Sequence, residues 1–194
     1  MKHRLFPLVL FSALVLFTDL STGKAQQLDV GDMDLNLSLG YGTPWVFREG
    51  YQTNMIPVGL SFDYGLSDNL GPGILSIGAY LGATTYSEEI NDILRSEEYG
   101  RKGTLIAIAV RSTYHYQLVD EIDTYAFLHF GLGYEDWKAY GEVPFYANPD
   151  LDSVIRPVFG LGIGAKYYFS SNLCVLAEIG YSTAFFKLGM GIRL

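Results

Sequence analysis

The sequence predicts an all-β fold, an eight-stranded antiparallel up-and-down transmembrane β-barrel, and three observations support this prediction. First, apolar and polar residues alternate with a period of two, as they do in strands whose two faces have different surroundings. Second, one face of each alternating segment is aliphatic or aromatic, whereas the other carries glycine, hydroxyl groups or charge. Third, the 194 residues include 22 glycines and 15 tyrosines, which suit a crowded bore and aromatic girdles.

The clearest alternation runs through positions 157–194, which predict the last three strands. The apolar series consists of Phe159, Leu161, Ile163, Val175, Ile179, Leu188, Met190 and Ile192. The opposite series contains glycines at 160, 162, 164, 189 and 191 together with charged residues. A soluble sandwich rarely needs so many glycines on its polar face. We therefore expect the apolar series to face lipid and the polar series to line a narrow interior.

Five further segments alternate in the same way and predict the preceding strands, at 33–41, 56–66, 74–84, 104–119 and 124–137. Long connections at 42–55, 85–103 and 138–153 follow the first, third and fifth strands, and short turns follow the second, fourth and sixth. Such asymmetry is typical of outer-membrane barrels, which have short periplasmic turns and longer outer loops. The last outer connection, around Thr183 and Ala184, departs from the pattern because it is very short. Eight strands leave an interior that side chains fill, so no open aqueous pore is expected.

Positions 1–25 predict a cleaved secretory signal peptide, which leaves the barrel domain at 26–194. Lys2, His3 and Arg4 form a positive start, positions 5–17 are apolar, and Ala25 is a small residue before the predicted cleavage point. An uncleaved N-terminal anchor is the alternative. The rest of the chain lacks the long apolar run of a transmembrane helix, and the single Cys174 is expected to be a small packing residue.

The charge of the chain excludes one class of partner. The formal net charge is −8, and without the three basic and one acidic residues of the predicted signal peptide the chain has 10 basic and 20 acidic residues. A chain so acidic is not expected to bind nucleic acid. Glycines at 160, 162 and 164 imitate part of a dinucleotide fingerprint, but the strand–turn–helix context is missing, so no cofactor is expected.

The inward face is predicted to carry a polar network. Its members are Asp63, Arg111, His115, His129, Glu135, Lys166, Glu178, Lys187 and Arg193. Buried charges need partners, because an isolated charge in a low-dielectric interior is costly. Glu178 should reach Lys187 across the last hairpin. One interpretation is an ion-paired plug that fixes strand register, and the other is a narrow gated pathway for ions or water, since charged rings set selectivity.

The two histidines of this network lie on adjacent predicted strands, His115 near the periplasmic end and His129 near mid-barrel. They could approach one another with Thr113 between them. A metal site would need a third ligand that the spacing does not supply, so no metal is expected. We expect each histidine to form hydrogen bonds within the lumen. The outer rim offers no pair of nucleophile and base, so no catalysis is expected.

The stretch at 161–173, LGIGAKYYFSSNL, resembles the penultimate hairpin of the small outer-membrane barrels related to OmpA and OmpX, porin-family proteins with an outer membrane protein beta-barrel domain. Lys187, Gly189, Ile192 and Leu194 match the barrel-assembly signal of that class, although an aromatic residue is commoner in the last place. The resemblance implies insertion into the outer membrane of a Gram-negative bacterium by the barrel-assembly machinery. It implies no particular activity, because the fold hosts structural proteins, adhesins and lipid-modifying enzymes.

The sequence thus favours a monomeric structural or surface-interaction protein in contact with outer-membrane lipids and lipopolysaccharide. Connections 42–55, 85–103 and 138–153 are the candidate sites for an extracellular ligand, since loops on a rigid scaffold are common recognition sites. The alternatives are a narrow channel, a lipid A-modifying enzyme, and a soluble barrel of the lipocalin type. The last of these requires the apolar face to point inward.

Overall fold

The chain forms a closed barrel of eight antiparallel strands. A computed structural model describes residues 28–44, 51–90, 99–119, 122–141 and 152–194. The strands are β1 (Met33–Tyr41), β2 (Tyr51–Ser67), β3 (Ile74–Ile90), β4 (Tyr99–Val119), β5 (Ile122–Tyr140), β6 (Val154–Tyr168), β7 (Leu173–Tyr181) and β8 (Phe186–Arg193). Each strand pairs with the next, and β8 pairs with β1 to close the sheet. The predicted fold class is confirmed.

The polarity of the barrel is inverted relative to a water-soluble protein. Leu128, Phe130 and Ile163 are 58%, 65% and 62% exposed on the outer wall, whereas Asp63 and Lys166 are fully buried inside. The predicted orientation of the two faces is therefore correct, and the lipocalin alternative is wrong. Within the described ranges, no helix is long and apolar enough to cross a bilayer.

The predicted bounds of several strands were wrong, because these strands extend further than predicted at the end opposite the short turns. β2 begins at Tyr51, β3 continues to Ile90, β4 begins at Tyr99, β5 ends at Tyr140, and β6 begins at Val154. Positions 51–55, 85–90, 99–103 and 138–140 of the predicted connections are therefore strand. The reason is physical: the added segments carry polar residues on both faces, so they show no apolar period, yet their backbones still pair across the sheet.

These added segments form an extension that rises beyond the neighbouring strands. The last partner of β1 on β2 is Val58, and the first partner of β6 on β5 is Glu135. We call the segments at 51–57, 85–90, 99–104 and 136–140 the outer extension. The opposite end of the barrel, which carries the turns at 68–73 and 169–172, is the turn end. The predicted signal peptide and most of the remaining connections, including positions 45–50, 91–98 and 142–151, lie outside the described residues.

Candidate functional site: the filled lumen

The turn end of the lumen is organised around the carboxylate of Asp34 on β1. The Lys166 ammonium lies 2.7 Å from Asp34 Oδ2, and the Arg193 Nε lies 2.8 Å from Oδ1. The Tyr168 hydroxyl donates to the same carboxylate at 2.9 Å. Asp34 and Lys166 are both buried. One carboxylate therefore joins β1, β6 and β8 across the bore, where an isolated charge would be costly.

A second cluster, centred on Glu178, fills the middle of the lumen. Arg111 donates from Nη2 to Glu178 Oε1 at 2.6 Å and from Nε to Asp63 Oδ1 at 3.0 Å. The Lys187 ammonium lies 2.5 Å from Glu178 Oε2, and the Tyr125 hydroxyl donates to Oε1 at 2.8 Å. Lys187 and Glu178 are register partners of the last hairpin. The cluster thus links five strands, β2, β4, β5, β7 and β8, through charge-assisted hydrogen bonds, which are stronger than neutral ones.

The charges of the bore are balanced, and its two clusters are connected. Asp34, Asp63, Asp123 and Glu178 supply four carboxylates, and Arg111, Lys166, Lys187 and Arg193 supply four cations, whereas the buried Glu135 pairs separately with Arg156. Lys166 also lies 3.9 Å from Asp63, which joins the lower cluster to the middle one. The lumen therefore lacks the excess of one charge sign that makes a selectivity ring.

The histidines have separate partners and are not brought together. His115 Nδ1 lies 2.9 Å from Asp123 Oδ2, and its Nε2 lies 2.7 Å from the Thr113 hydroxyl. His129 stacks on Tyr80 with ring centroids 4.6 Å apart, and its Nε2 lies 3.4 Å from the Ser182 hydroxyl. Across the described ranges, no group of three or more histidine, cysteine or acidic side chains could hold a metal ion.

A ladder of aromatic rings on β5 explains the glycines of β6. Tyr125, Phe127 and His129 point into the lumen opposite glycines 164, 162 and 160, their register partners. A Cβ added at any of these glycines would overlap the ring of its partner. The cations cover the rings from the other side, since Arg111 lies 4.8 Å and Lys187 lies 5.0 Å from the Phe127 centroid. The glycine run is therefore a packing feature of the bore, because the aromatic rings of β5 occupy the space that side chains at these positions would need.

The connection between β7 and β8 folds into the lumen above the middle cluster. Ser182, Thr183 and Ala184 are buried, although they lie in a turn. The Thr183 hydroxyl contacts the Tyr80 hydroxyl of β3, on the opposite side of the bore. This is possible because β7 and β8 have only 9 and 8 residues, so their turn lies below the extension. We call Ser182, Thr183 and Ala184 the inner turn.

Glu135 lies apart from the other acidic residues of the predicted network. Its carboxylate lies 3.2 Å from Arg156 Nη2, near the base of the outer extension. Higher on the extension, Arg101 Nε donates to Glu88 Oε2 at 2.6 Å, and the Arg101 guanidinium lies 4.4 Å from the Trp137 ring centroid. The extension thus has its own ion pairs, separate from those of the bore.

Several residues of the lumen are absent from the predicted network. Asp34, Asp123, Tyr125, Tyr168 and Ser182 all contact the predicted members. Asp34 could have been found by extending the inward series of the first strand by one step, from Asn36 to Asp34. Ser182 could have been found in the same way, because it follows Glu178 and Gly180 in the inward series of the seventh strand.

The residues of the predicted assembly signal occupy different surroundings. Lys187 is buried in the lumen, and Leu194 is 70% exposed on the outer side. Gly189 packs against the β1 backbone, where a Cβ would overlap the Leu37 carbonyl oxygen. Their role in assembly stays a prediction.

The closed sheet, the apolar outer wall and the ion-paired bore together define a small transmembrane β-barrel of the outer-membrane type. The expected resemblance to this group is confirmed at the level of the fold.

The chain is similar to several solved structures. Ail of Yersinia pestis, in a complex with the heparin analogue sucrose octasulfate, is 11% identical, with a TM-score of 0.50 over 85% of this chain and 99% of that chain. The N-terminal β-barrel domain of Pseudomonas aeruginosa OprF is 16% identical, with a TM-score of 0.45 over 85% of this chain and 98% of that one. OprG of P. aeruginosa is 12% identical, with a TM-score of 0.46 over 88% and 99%. No protein-family model and no curated protein sequence matches the chain.

Proposed function

We propose that the protein is an integral outer-membrane β-barrel with a sealed bore and a structural or surface-interaction role, and that it is not a pore or an enzyme. The observation that supports this most strongly is the continuous filling of the lumen. Leu28 is fully buried at the turn end, where the segment before β1 hydrogen-bonds to Gly65. The two ion clusters follow, and the inner turn lies above them. Leu105, Ala107 and Val158 fill the lumen beyond the inner turn.

Conductance measurements distinguish this proposal from a narrow channel. The protein, inserted in planar lipid bilayers, should give no discrete current steps, because every layer of the bore contains buried side chains. Current steps that change when Glu178→Gln or Arg111→Gln is introduced would assign the ion clusters to a conducting pathway and overturn the sealed-bore proposal. Heat-modifiable migration on a gel provides the control that the inserted protein is folded.

The absence of catalysis is also part of the proposal, and one contact requires explanation. Ser182 and His129 form a hydroxyl–imidazole pair, which is the arrangement of an activated nucleophile. However, both side chains are buried, and His129 Nδ1 has no hydrogen-bond partner among the described residues, so no acceptor there fixes the tautomer that a base requires. Overproduction should therefore leave the mass spectrum of lipid A unchanged. A new lipid A species that disappears in Ser182→Ala would establish an enzyme instead.

The outer extension supports surface contact with lipopolysaccharide. Lys102 and Lys138 are direct partners on β4 and β5, and both point outward. The apolar wall ends at the pair of Tyr134 with Ile106. The lysine pair lies four residues further along the two strands, and the pair of Asp136 with Thr104 lies between. Four residues cover about 13 Å along a strand, so the two ammonium groups lie at the height of lipid headgroups. Like charges placed opposite each other are unfavourable, and the single Asp136 carboxylate, 3.7 Å from the Lys138 ammonium, balances only one of the two lysines. An anionic phosphate group can balance the other.

Lipopolysaccharide retention tests this surface. Lys102→Gln with Lys138→Gln should lower the amount of lipopolysaccharide that remains bound during mild detergent extraction. Lys166→Gln is unsuitable as a control because Lys166 is buried. Asp136→Asn keeps both cations and removes only the carboxylate 3.7 Å from the Lys138 ammonium, so it should not lower the retained amount. Equal retention by all three proteins would contradict this part of the proposal.

Insertion by the barrel-assembly machinery and location in the outer membrane complete the proposal. They are supported by the apolar wall and by the match of Lys187, Gly189, Ile192 and Leu194 to the assembly signal. Fractionation after depletion of the assembly machinery tests both points together. The protein should then leave the outer-membrane fraction and lose heat-modifiable migration, and unchanged fractionation would contradict the proposed route.

A further inference from the structure

The outer wall of the barrel contains a groove of about 560 Å³ that crosses from β4 to β8. Along its bottom lie Thr124, Ala165 and Ala177, and among its rim residues are Tyr116, Ile163 and Phe186. Most of the lining is apolar and faces the same side as the exposed wall. The groove is therefore part of the lipid-facing surface and is separate from the lumen.

The groove results from the sheet register. Thr124 pairs with Ala165, and Ala165 pairs with Ala177, so three short side chains stand in one row across β5, β6 and β7. Ile163 and Ile179, which stand beside this row on the same face, are long and are 62% and 58% exposed, whereas Ala126 beside Thr124 is short and widens the row. A row of short side chains between long ones makes a trough whose floor is the sheet itself. Gly164 lies in this floor, between Ile163 and Ala165.

We propose that this groove binds one acyl chain of a phospholipid in the bilayer leaflet at the turn end. The inference rests on the proposed membrane insertion and goes beyond it, because it assigns an ordered lipid position. The groove begins beside Leu118, next to the connection between β4 and β5, and therefore opens at the turn end of the wall. Hydrocarbon is the medium that surrounds this part of the barrel, and the lining offers it an apolar surface.

The dimensions favour a single hydrocarbon chain over a protein segment. Five strands spaced about 4.8 Å apart give a length of about 20 Å, enough for one extended chain lying obliquely in a leaflet. The flanking residues on one strand, such as Ile163 and Tyr167 beside Ala165, are four positions apart, or about 13 Å between their Cα atoms. Their own side chains narrow this gap further. An α-helix needs about 10–12 Å for its full diameter and would not reach the floor.

Photolabelling in vesicles tests the site directly. The full-length protein is inserted into vesicles that contain a phosphatidylcholine with a diazirine on one acyl chain, and labelled positions are mapped by mass spectrometry. We expect label at Thr124, Ala165 and Ala177 in excess over the wall around Ala79, an outward-facing alanine of β3. Ala165→Leu with Ala177→Leu fills the trough, and the excess should fall to parity. The matched control, Ala79→Leu, should retain the excess at the groove.

Each other outcome overturns the inference in a distinguishable way. Uniform label on the wild-type wall, or an excess that survives the filled variant, shows that the groove holds no ordered chain. A wild-type dimer in vesicles that the filled variant converts to a monomer assigns the groove to a second copy of the protein. Absence of label from the entire wall refutes membrane insertion itself, and the groove site with it. Heat-modifiable migration verifies that both variants fold.

Discussion

Replacing Glu178 with glutamine should destabilise the barrel more than any loss of a surface charge. The carboxylate accepts hydrogen bonds from Arg111 at 2.6 Å and from Tyr125 at 2.8 Å, and it lies 2.5 Å from the Lys187 ammonium. The neutral amide cannot compensate two cations, and both remain buried. The side chains of Arg111, Lys187 and Glu178 are at most 5% exposed, so water cannot replace the lost partner.

The expected loss follows from what each cation retains. Breaking a buried ion pair by removing one partner typically costs about 3–5 kcal/mol. Arg111 keeps Asp63 at 3.0 Å, whereas Lys187 keeps only the Ser182 hydroxyl at 3.5 Å and ring contacts. Because one of the two cations remains ion-paired, we expect a loss near the lower end of this range, about 3 kcal/mol. In the double variant Glu178→Gln with Lys187→Gln the stranded ammonium is gone, so the combined loss should fall short of the sum by about 0.5–3 kcal/mol.

Urea unfolding in lipid vesicles measures this loss, with the folded fraction followed by migration on unheated gels. The matched control is Lys138→Gln, because Lys138 is 81% exposed and lies 3.7 Å from Asp136. An exposed pair is worth less than about 1 kcal/mol. A Glu178→Gln protein that unfolds at the same urea concentration as Lys138→Gln would refute the assignment of the cluster as a stabilising plug.

Three further predictions address the wall, the aromatic ladder and the inner turn. Leu128→Arg, in the middle of the exposed wall, should cost about 2–4 kcal/mol in vesicles, and equal urea stability would contradict the lipid-facing assignment. Gly162→Val should cost about 1–3 kcal/mol because its side chain would overlap the Ile179 carbonyl oxygen and the Phe127 ring, and a wild-type unfolding midpoint would contradict this close packing. Thr183→Val removes the hydroxyl contact with Tyr80 and should lower the free energy of unfolding by about 1 kcal/mol. It should not open a conductance, because the other layers of the bore stay filled. Current steps in planar bilayers would show that the inner turn alone seals the bore.

The sequence was sufficient for the fold because membrane barrels impose a strict period of two on each strand. Leu161, Ile163 and Val175 could be assigned to the outer wall from alternation alone. The same rule could not locate the ends of β3 and β4, because residues of the outer extension meet polar surroundings on both faces. Pairs such as Glu88 with Arg101 then depend on backbone pairing, which leaves no mark in residue polarity.

The lumen was predictable as a set of residues but not as a set of contacts. Alternation places Arg111 and Glu178 on the inward face, yet they lie on β4 and β7, and only the closed circle brings them together. The inner turn was unpredictable for a different reason. Its depth depends on the difference in length between β7 and β5, which in turn depends on strand ends that alternation does not define.

The position of Asp34 has a consequence for the order of assembly. Its carboxylate meets Lys166 and Arg193 only after the first strand has joined the last, because these cations come from β6 and β8. Before β8 pairs with β1, the open sheet would expose all three charges to the medium on its concave side. Hydrocarbon cannot solvate these charges, so the concave side must remain hydrated until β1 pairs with β8. Closure of the barrel and dehydration of its interior must therefore occur together.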